Sequence, residues 1–117
     1  MRINLTQHDS TTEQGCAPRS KEQTQRIKEL LTIAELPDER DLTRRAVALA
    51  ELARTAGATE AMVGSVNYLT LFLDPALRQR RIQPLYAFSQ RESVEIAQPD
   101  GSVIKKSVFR HLGFVKF

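Results

Sequence analysis

Three short polar clusters hold the residues of this 117-residue chain whose types suit chemistry. The first is Thr6, Gln7 and His8, the second Gly64, Ser65 and Asn67, and the third Ser89 with Arg91 close behind. Together they contain the parts of an anion site. A Gly-Ser turn running into a helix offers unpaired N–H groups and the positive end of the helix dipole to phosphate or carboxylate. An arginine adds a two-pronged, charge-assisted contact. Histidine is the side chain type suited to moving protons near neutral pH, so His8 is the candidate general acid or base. Thr6, Gln7, Ser65, Asn67 and Ser89 carry donors and acceptors that can orient a ligand.

These clusters matter together only if the fold brings them together. Ile3, Asn4 and Leu5 begin a short strand, and Gly15 and Pro18 mark the loop after it. Ser20 with Gln23 has capping-box spacing, and Ile27, Leu30, Leu31 and Ala34 then share one helical face up to the break at Leu36-Pro37. A second helix is expected from about Asp38 to Thr55, with Gly57 as its terminator. Ala61, Met62 and Val63 read as a buried parallel strand. Asn67 to Arg80 reads as a helix, with Pro75 predicting a break near Asp74 or a new start capped by Asp74. Ile82 to Phe88 is the next strand, which completes a βαβ unit. Val94 and Ile96 then alternate with polar neighbours, Pro99-Asp100-Gly101-Ser102 predicts a hairpin turn, and Val103 to Val115 returns as a strand in which Gly113 marks a bulge or bend.

The expected architecture is a single α/β domain over residues 1–117: a small Rossmann-like three-layer fold with a mostly parallel sheet and a C-terminal antiparallel β-hairpin. Ligands of open parallel sheets bind beyond the carboxyl ends of the strands. Each polar cluster follows a predicted strand, so the three are expected on one rim. Neither dinucleotide nor P-loop glycine fingerprint occurs.

Each residue also has a plainer role available. Asn67 suits a helix cap. Thr6 and His8 suit side-chain to backbone bonds that hold a loop. Arg91 suits a surface pair with Glu92 or Glu95, worth little. Arg110 and His111 suit a charged edge strand that resists edge pairing. His8, Asp9 and Glu13 lack a second histidine at ligand spacing, so no metal is expected. Cys16 has no evident activating partner and reads as a free structural thiol. Phe109, Phe114 and Phe117 fit either the core or a partner surface.

Bulk composition narrows the function classes. Hydrophobic residues make up 41% and charged residues 26%, as in ordinary globular domains. The net charge is +3, and the best basic cluster, Arg78 to Arg81 with Gln79 inside it, sits where cations complement a helix C-terminus. Long duplex nucleic acid is therefore not the expected partner. No apolar run suits a membrane span and no secretory pattern opens the chain, which makes the cytoplasm the expected compartment. One cysteine excludes an internal disulfide.

The stretches NLTQH, TTEQ, AMVGSVNYL, PLYAFSQRESVE and PDGSVIKKSVFRHLGFV together resemble a family of short, poorly characterised bacterial and prophage proteins. More loosely, the layout is similar to small Rossmann-like CRISPR-associated proteins, which include binders of cyclic oligonucleotide messengers and ring nucleases. That analogy of fold implies a ligand at the strand ends, across a dimer interface, with Thr6, His8, Ser65, Asn67 and Arg91 in the comparable places. The expectation is a homodimeric protein that binds a nucleotide-like or other phosphorylated small molecule, without a cofactor. Metal-independent phosphodiester cleavage by His8 would need only that cradle. The alternative is a non-enzymatic prophage or defence-associated regulator that acts through its hairpin.

Overall fold

The computed structural model describes residues 1–117 as a four-stranded sheet with three helices. Strand β1 (Arg2–Leu5) pairs in parallel with β2 (Glu60–Val63), β2 in parallel with β3 (Gln83–Ala97), and β3 antiparallel with β4 (Val103–Val115). Sheet order follows chain order. Helices α1 (Lys21–Leu31) and α2 (Glu39–Thr55) connect β1 to β2, and α3 (Asn67–Gln79) connects β2 to β3.

Local signals place the helix ends. Ser20 accepts from the Gln23 N–H while the Gln23 side chain accepts from the Ser20 N–H, a closed capping box. Asp38 caps α2 through the Asp41 N–H at 2.8 Å. Helix α1 stops at Leu31, earlier than the apolar pattern to Ala34 suggests. Its last carbonyls find a donor elsewhere: Arg45 of α2 reaches the oxygens of Leu30 and Thr32, each at 2.9 Å. Helix α3 runs through Pro75 without a break. The carbonyl that Pro75 cannot serve belongs to Leu71, a residue 74% exposed, so water can satisfy it. Asp74 is accordingly no cap; it bonds Arg78 and Tyr86.

Both crossovers step the same way along the sheet, and right-handed crossovers of that kind lay their helices on one face. Ile3, Leu5, Ala61 and Val63 point into a single cluster with Ile27 and Leu30 of α1, Leu49 and Ala50 of α2, and Leu69 and Leu73 of α3. By alternation Asn4, Met62 and Leu85 face the other way, yet all three are buried. The segment after β1 covers them and forms the third layer. Its 3-10 turn (Thr12–Gln14) lies against β4, the Ala17 N–H bonds the Arg2 carbonyl at 2.8 Å, and Arg2 donates to the Gln14 carbonyl at 2.5 Å.

Strand β3 does not end at Phe88. It continues to Ala97, joining two segments that the sequence reads as separate, and with β4 it forms a ribbon that leaves the body and stretches the molecule to 56 Å. A bulge at Phe88/Ser89, opposite Gly113 and His111, marks where ribbon leaves sheet.

Candidate functional site

The parallel strands end level. Leu5, Val63 and Tyr86 lie opposite one another in the register, so the next residues, Thr6, Gly64 and Ala87, start the rim. Thr6 is buried and tightly held. Its hydroxyl bonds Asn4 Oδ1 at 2.6 Å and meets the His8 carbonyl at 3.1 Å, and its N–H donates to the same Asn4 oxygen. Asn4 Nδ2 in turn donates to the His8 carbonyl at 2.7 Å. One Arg19 nitrogen donates to the carbonyls of Asn4 and Thr6 at 2.8 and 2.9 Å. Thr6 therefore shapes the loop, and His8 projects from it, exposed.

Two depressions open beside this loop. The smaller, about 310 Å³, lies between Thr6, His8, Gly64, Met62, Tyr86 and Ala87. The larger, about 480 Å³, is lined by Asn4, Ser10, Thr11, Thr12, Cys16 and Arg19 among others. Asp9 borders both. The smaller one carries no cation; the guanidinium of the larger one is Arg19, whose remaining N–H groups are free to meet an anion. Burial pushes the Cys16 thiol above its ordinary pKa against the opposing pull of Arg2, a Ser10 hydrogen bond and Arg19. That disfavours the thiolate. His, Cys, Asp and Glu side chains nowhere gather in groups of three able to hold a metal ion.

Tyr86, which borders the smaller depression, turns its phenol to the helix face and donates to Asp74 Oδ2 at 2.5 Å. Burial and this bond to a carboxylate raise the phenol above its ordinary pKa. Burial alone would raise the Asp74 carboxyl, but hydrogen bonds from Arg78 and Tyr86 outweigh it and hold the group below the usual range. Tyr86 also stacks on Phe117, ring centroids 6.2 Å apart, which anchors the C-terminus here.

Thr6, His8 and Gly64 thus come together on the rim. Gln7 lies exposed on the same loop without lining either depression. The Ser65 hydroxyl is 2.7 Å from that of Thr70, turned onto the first turn of α3. Asn67 is an exposed first residue of α3; Val66 holds the cap position and makes no side-chain cap bond. Ser89 and Arg91 stand apart, three and five residues beyond Tyr86 on the ribbon, roughly 10 and 17 Å along a strand. Arg91 lies over the Phe109 ring at 5.2 Å. Asn4, Arg19 and Tyr86 are the site-shaping residues that the polar-cluster reading misses. The signal for Asn4 is an amide inside an otherwise apolar strand exit.

Fold and rim define a small α/β protein with three level parallel strand ends and a projecting antiparallel ribbon. The chain belongs to the uncharacterized protein MJ1673 family, whose model matches residues 1–115. No curated protein and no solved structure matches it. No helix is long and apolar enough to cross a membrane.

Proposed function

We propose that the protein binds a nucleotide-like phosphorylated ligand across the two depressions. The observation that carries this reading is their junction. A polar basin with the Arg19 guanidinium and the hydroxyls of Ser10, Thr11 and Thr12 adjoins a less polar one bordered by Met62, Tyr86 and Ala87; Asp9 stands at the divide, and His8 lines the less polar side. Phosphate suits the first and a planar heterocycle the second. A cyclic oligonucleotide suits such a sparse site because its own 2′-hydroxyl can attack the phosphorus. The 2′ oxygen–phosphorus bond forms as the phosphorus–5′ oxygen bond breaks, giving a 2′,3′-cyclic phosphate and a 5′-hydroxyl; His8 takes the 2′-hydroxyl proton and returns it to the departing 5′ oxygen.

The test is titration of purified protein with a panel of cyclic and linear nucleotides, followed by product analysis. Micromolar binding is expected. His8→Ala should abolish turnover and spare binding, and Arg19→Lys, which keeps charge but loses the fork, should weaken binding about tenfold. Lack of binding to any phosphorylated compound at millimolar concentration removes this reading.

A second reading, a prophage- or defence-associated regulator acting through the ribbon, draws on a different observation. Phe109 is 71% exposed and Ile104 50%, far from the core. Recovery of one stoichiometric protein partner, lost on Phe109→Ser, is the expected result under that reading.

A further inference from the structure

An isolated two-stranded ribbon is marginal in water; three or more strands with an apolar face are needed for independent stability. Here β3 loses its β2 neighbour after Tyr86, so from Ser89 to Ala97 its outer edge carries unpaired backbone groups, and the outer edge of β4 is equally free. The two edges differ in charge. Strand β4 displays Lys105, Lys106 and Arg110 and no carboxylate, a pattern that repels a second β4. Strand β3 displays Arg91, Glu92 and Glu95. Neither Arg91 nor Glu95 has an ion-pair partner within the chain; the ion pair on the ribbon is Arg110–Glu92 at 3.5 Å.

The spacing of those charges selects a register. In an antiparallel pairing of β3 with itself about Ser93, Arg91 of each copy falls directly opposite Glu95 of the other, on the same face. The twofold axis makes two such contacts. On the opposite face Val94 and Ile96 of each copy fall opposite Glu92 and Gln90 of the other, a mixed polar and aliphatic surface in which Ile96 keeps its neighbour Ile104 on β4. Shifting the centre by one residue in either direction places Arg91 opposite Ala97 or Ser93 and loses both ion pairs.

We propose that the free edge of β3 is a self-association site, where Ser89 to Ala97 of two copies pair antiparallel about Ser93 with reciprocal Arg91–Glu95 contacts. Ala97 of the partner subunit then lies opposite Ser89, and the partner's turn at 98–102 comes against the carboxyl end of β2, beside Gly64. Assembly and rim are thereby linked in space. The pairing does not depend on what the rim binds.

Sedimentation equilibrium on the intact protein reads it directly. The wild type is expected to be a dimer. Arg91→Glu and Glu95→Arg each turn both contacts into like-charge pairs and should raise the dimer dissociation constant about tenfold or more, while the double reversal should restore it. Circular dichroism checks that every variant is folded. In a Cys16→Ser background, Ser93→Cys should oxidise to a covalent dimer and Ser107→Cys, on β4, should not. A monomer at every concentration, single reversals without effect, a double reversal as weak as the singles, or a β3 edge taken instead by a different protein overturns the proposal.

Discussion

Thr6 and Gly64 meet across the ends of β1 and β2 so closely that a β-carbon on residue 64 would lie 2.9 Å from Thr6 Cγ2. Thr6 cannot swing aside freely, because Asn4 and the His8 carbonyl fix its hydroxyl. Gly64→Ala is therefore expected to destabilise the protein by about 1–3 kcal/mol, the usual cost of overpacking. Thr6→Ser keeps the hydroxyl and deletes the offending methyl, at roughly 1 kcal/mol on its own. The double variant should cost less than the sum of the singles. Urea denaturation of the four proteins checks it; strict additivity would mean the contact is not felt.

Asn4 is 2% exposed and uses both ends of its amide on the loop that carries His8. Asn4→Ala leaves the Thr6 N–H without a partner and the Thr6 hydroxyl and His8 carbonyl with one bond fewer each. A loss of roughly 2 kcal/mol is expected from unpaired, partly buried groups. Hydrogen exchange should quicken at Thr6 and His8 and stay slow in α2. Uniform loosening of all amides would instead mark a general loss of packing.

These two residues also show how far local pattern reaches. Ser20, Asp38, Gly57 and the Pro-Asp-Gly turn are legible because caps and turns are written in adjacent residues. The level ends of three parallel strands follow from the βαβ spacing, so the approach of Thr6 and His8 to Gly64 was readable. The course of β3 was not. Ser89 to Ser93 is polar on both faces and has no alternation to reveal a strand; only pairing with Ser107 to His111 keeps it extended. That continuation carries Ser89 and Arg91 away from the rim. Asn4 alternates to the far face by simple pleating, but its burial there depends on the fold-back of residues 6–19, which leaves no periodic trace.

Tyr86 links the rim to α3, and its raised phenol pKa has a definite sign. Below pH 10 the phenol is neutral whether folded or unfolded. Above it the unfolded chain releases the proton first, so stability falls as pH rises from about 10 through the folded pKa. In a Tyr68→Phe variant, Tyr86 is the remaining tyrosine, and its phenolate absorbance should titrate well above that of the denatured protein. Overlapping curves would show that the Asp74 bond does not persist in solution.

Glu51 gives the acid counterpart. Hydrogen bonds from Arg54 and from Arg80, the latter across to α3 at 2.6 Å, draw its carboxyl down to about 2. A depressed carboxylate contributes stability above its unfolded pKa, near 4.5, and loses it as pH falls toward 2. Glu51→Gln should flatten the pH dependence of the urea midpoint in that window, with a small effect because the site is exposed and screened by salt. An unchanged slope would assign acid sensitivity to the other lowered carboxyls, Asp41 with its hydrogen bonds from Arg45 and Arg44, Asp74 and Asp100.

Arg2 shows why the loop layer stays in place. Its guanidinium pairs with Glu60 at 3.2 Å, donates to the Gln14 carbonyl, and lies 4.8 Å from the centre of the Phe114 ring. One flat cation thus joins β2, the 3-10 turn and β4. Lysine is a poor substitute, since an ammonium group can satisfy one of these partners well but lacks the plane to stack on phenylalanine while forking to two oxygens. Arg2→Lys is expected to cost about 1–2 kcal/mol, the order of a charge-assisted hydrogen bond plus part of a cation–π contact. The cost should appear locally first. Limited proteolysis should cut between residues 7 and 19 faster in the variant, at denaturant concentrations where α2 and α3 remain intact. Equal cleavage rates in both proteins would mean that Ala17 and Arg19, bonded to the β1 backbone independently of the Arg2 side chain, suffice to hold the layer.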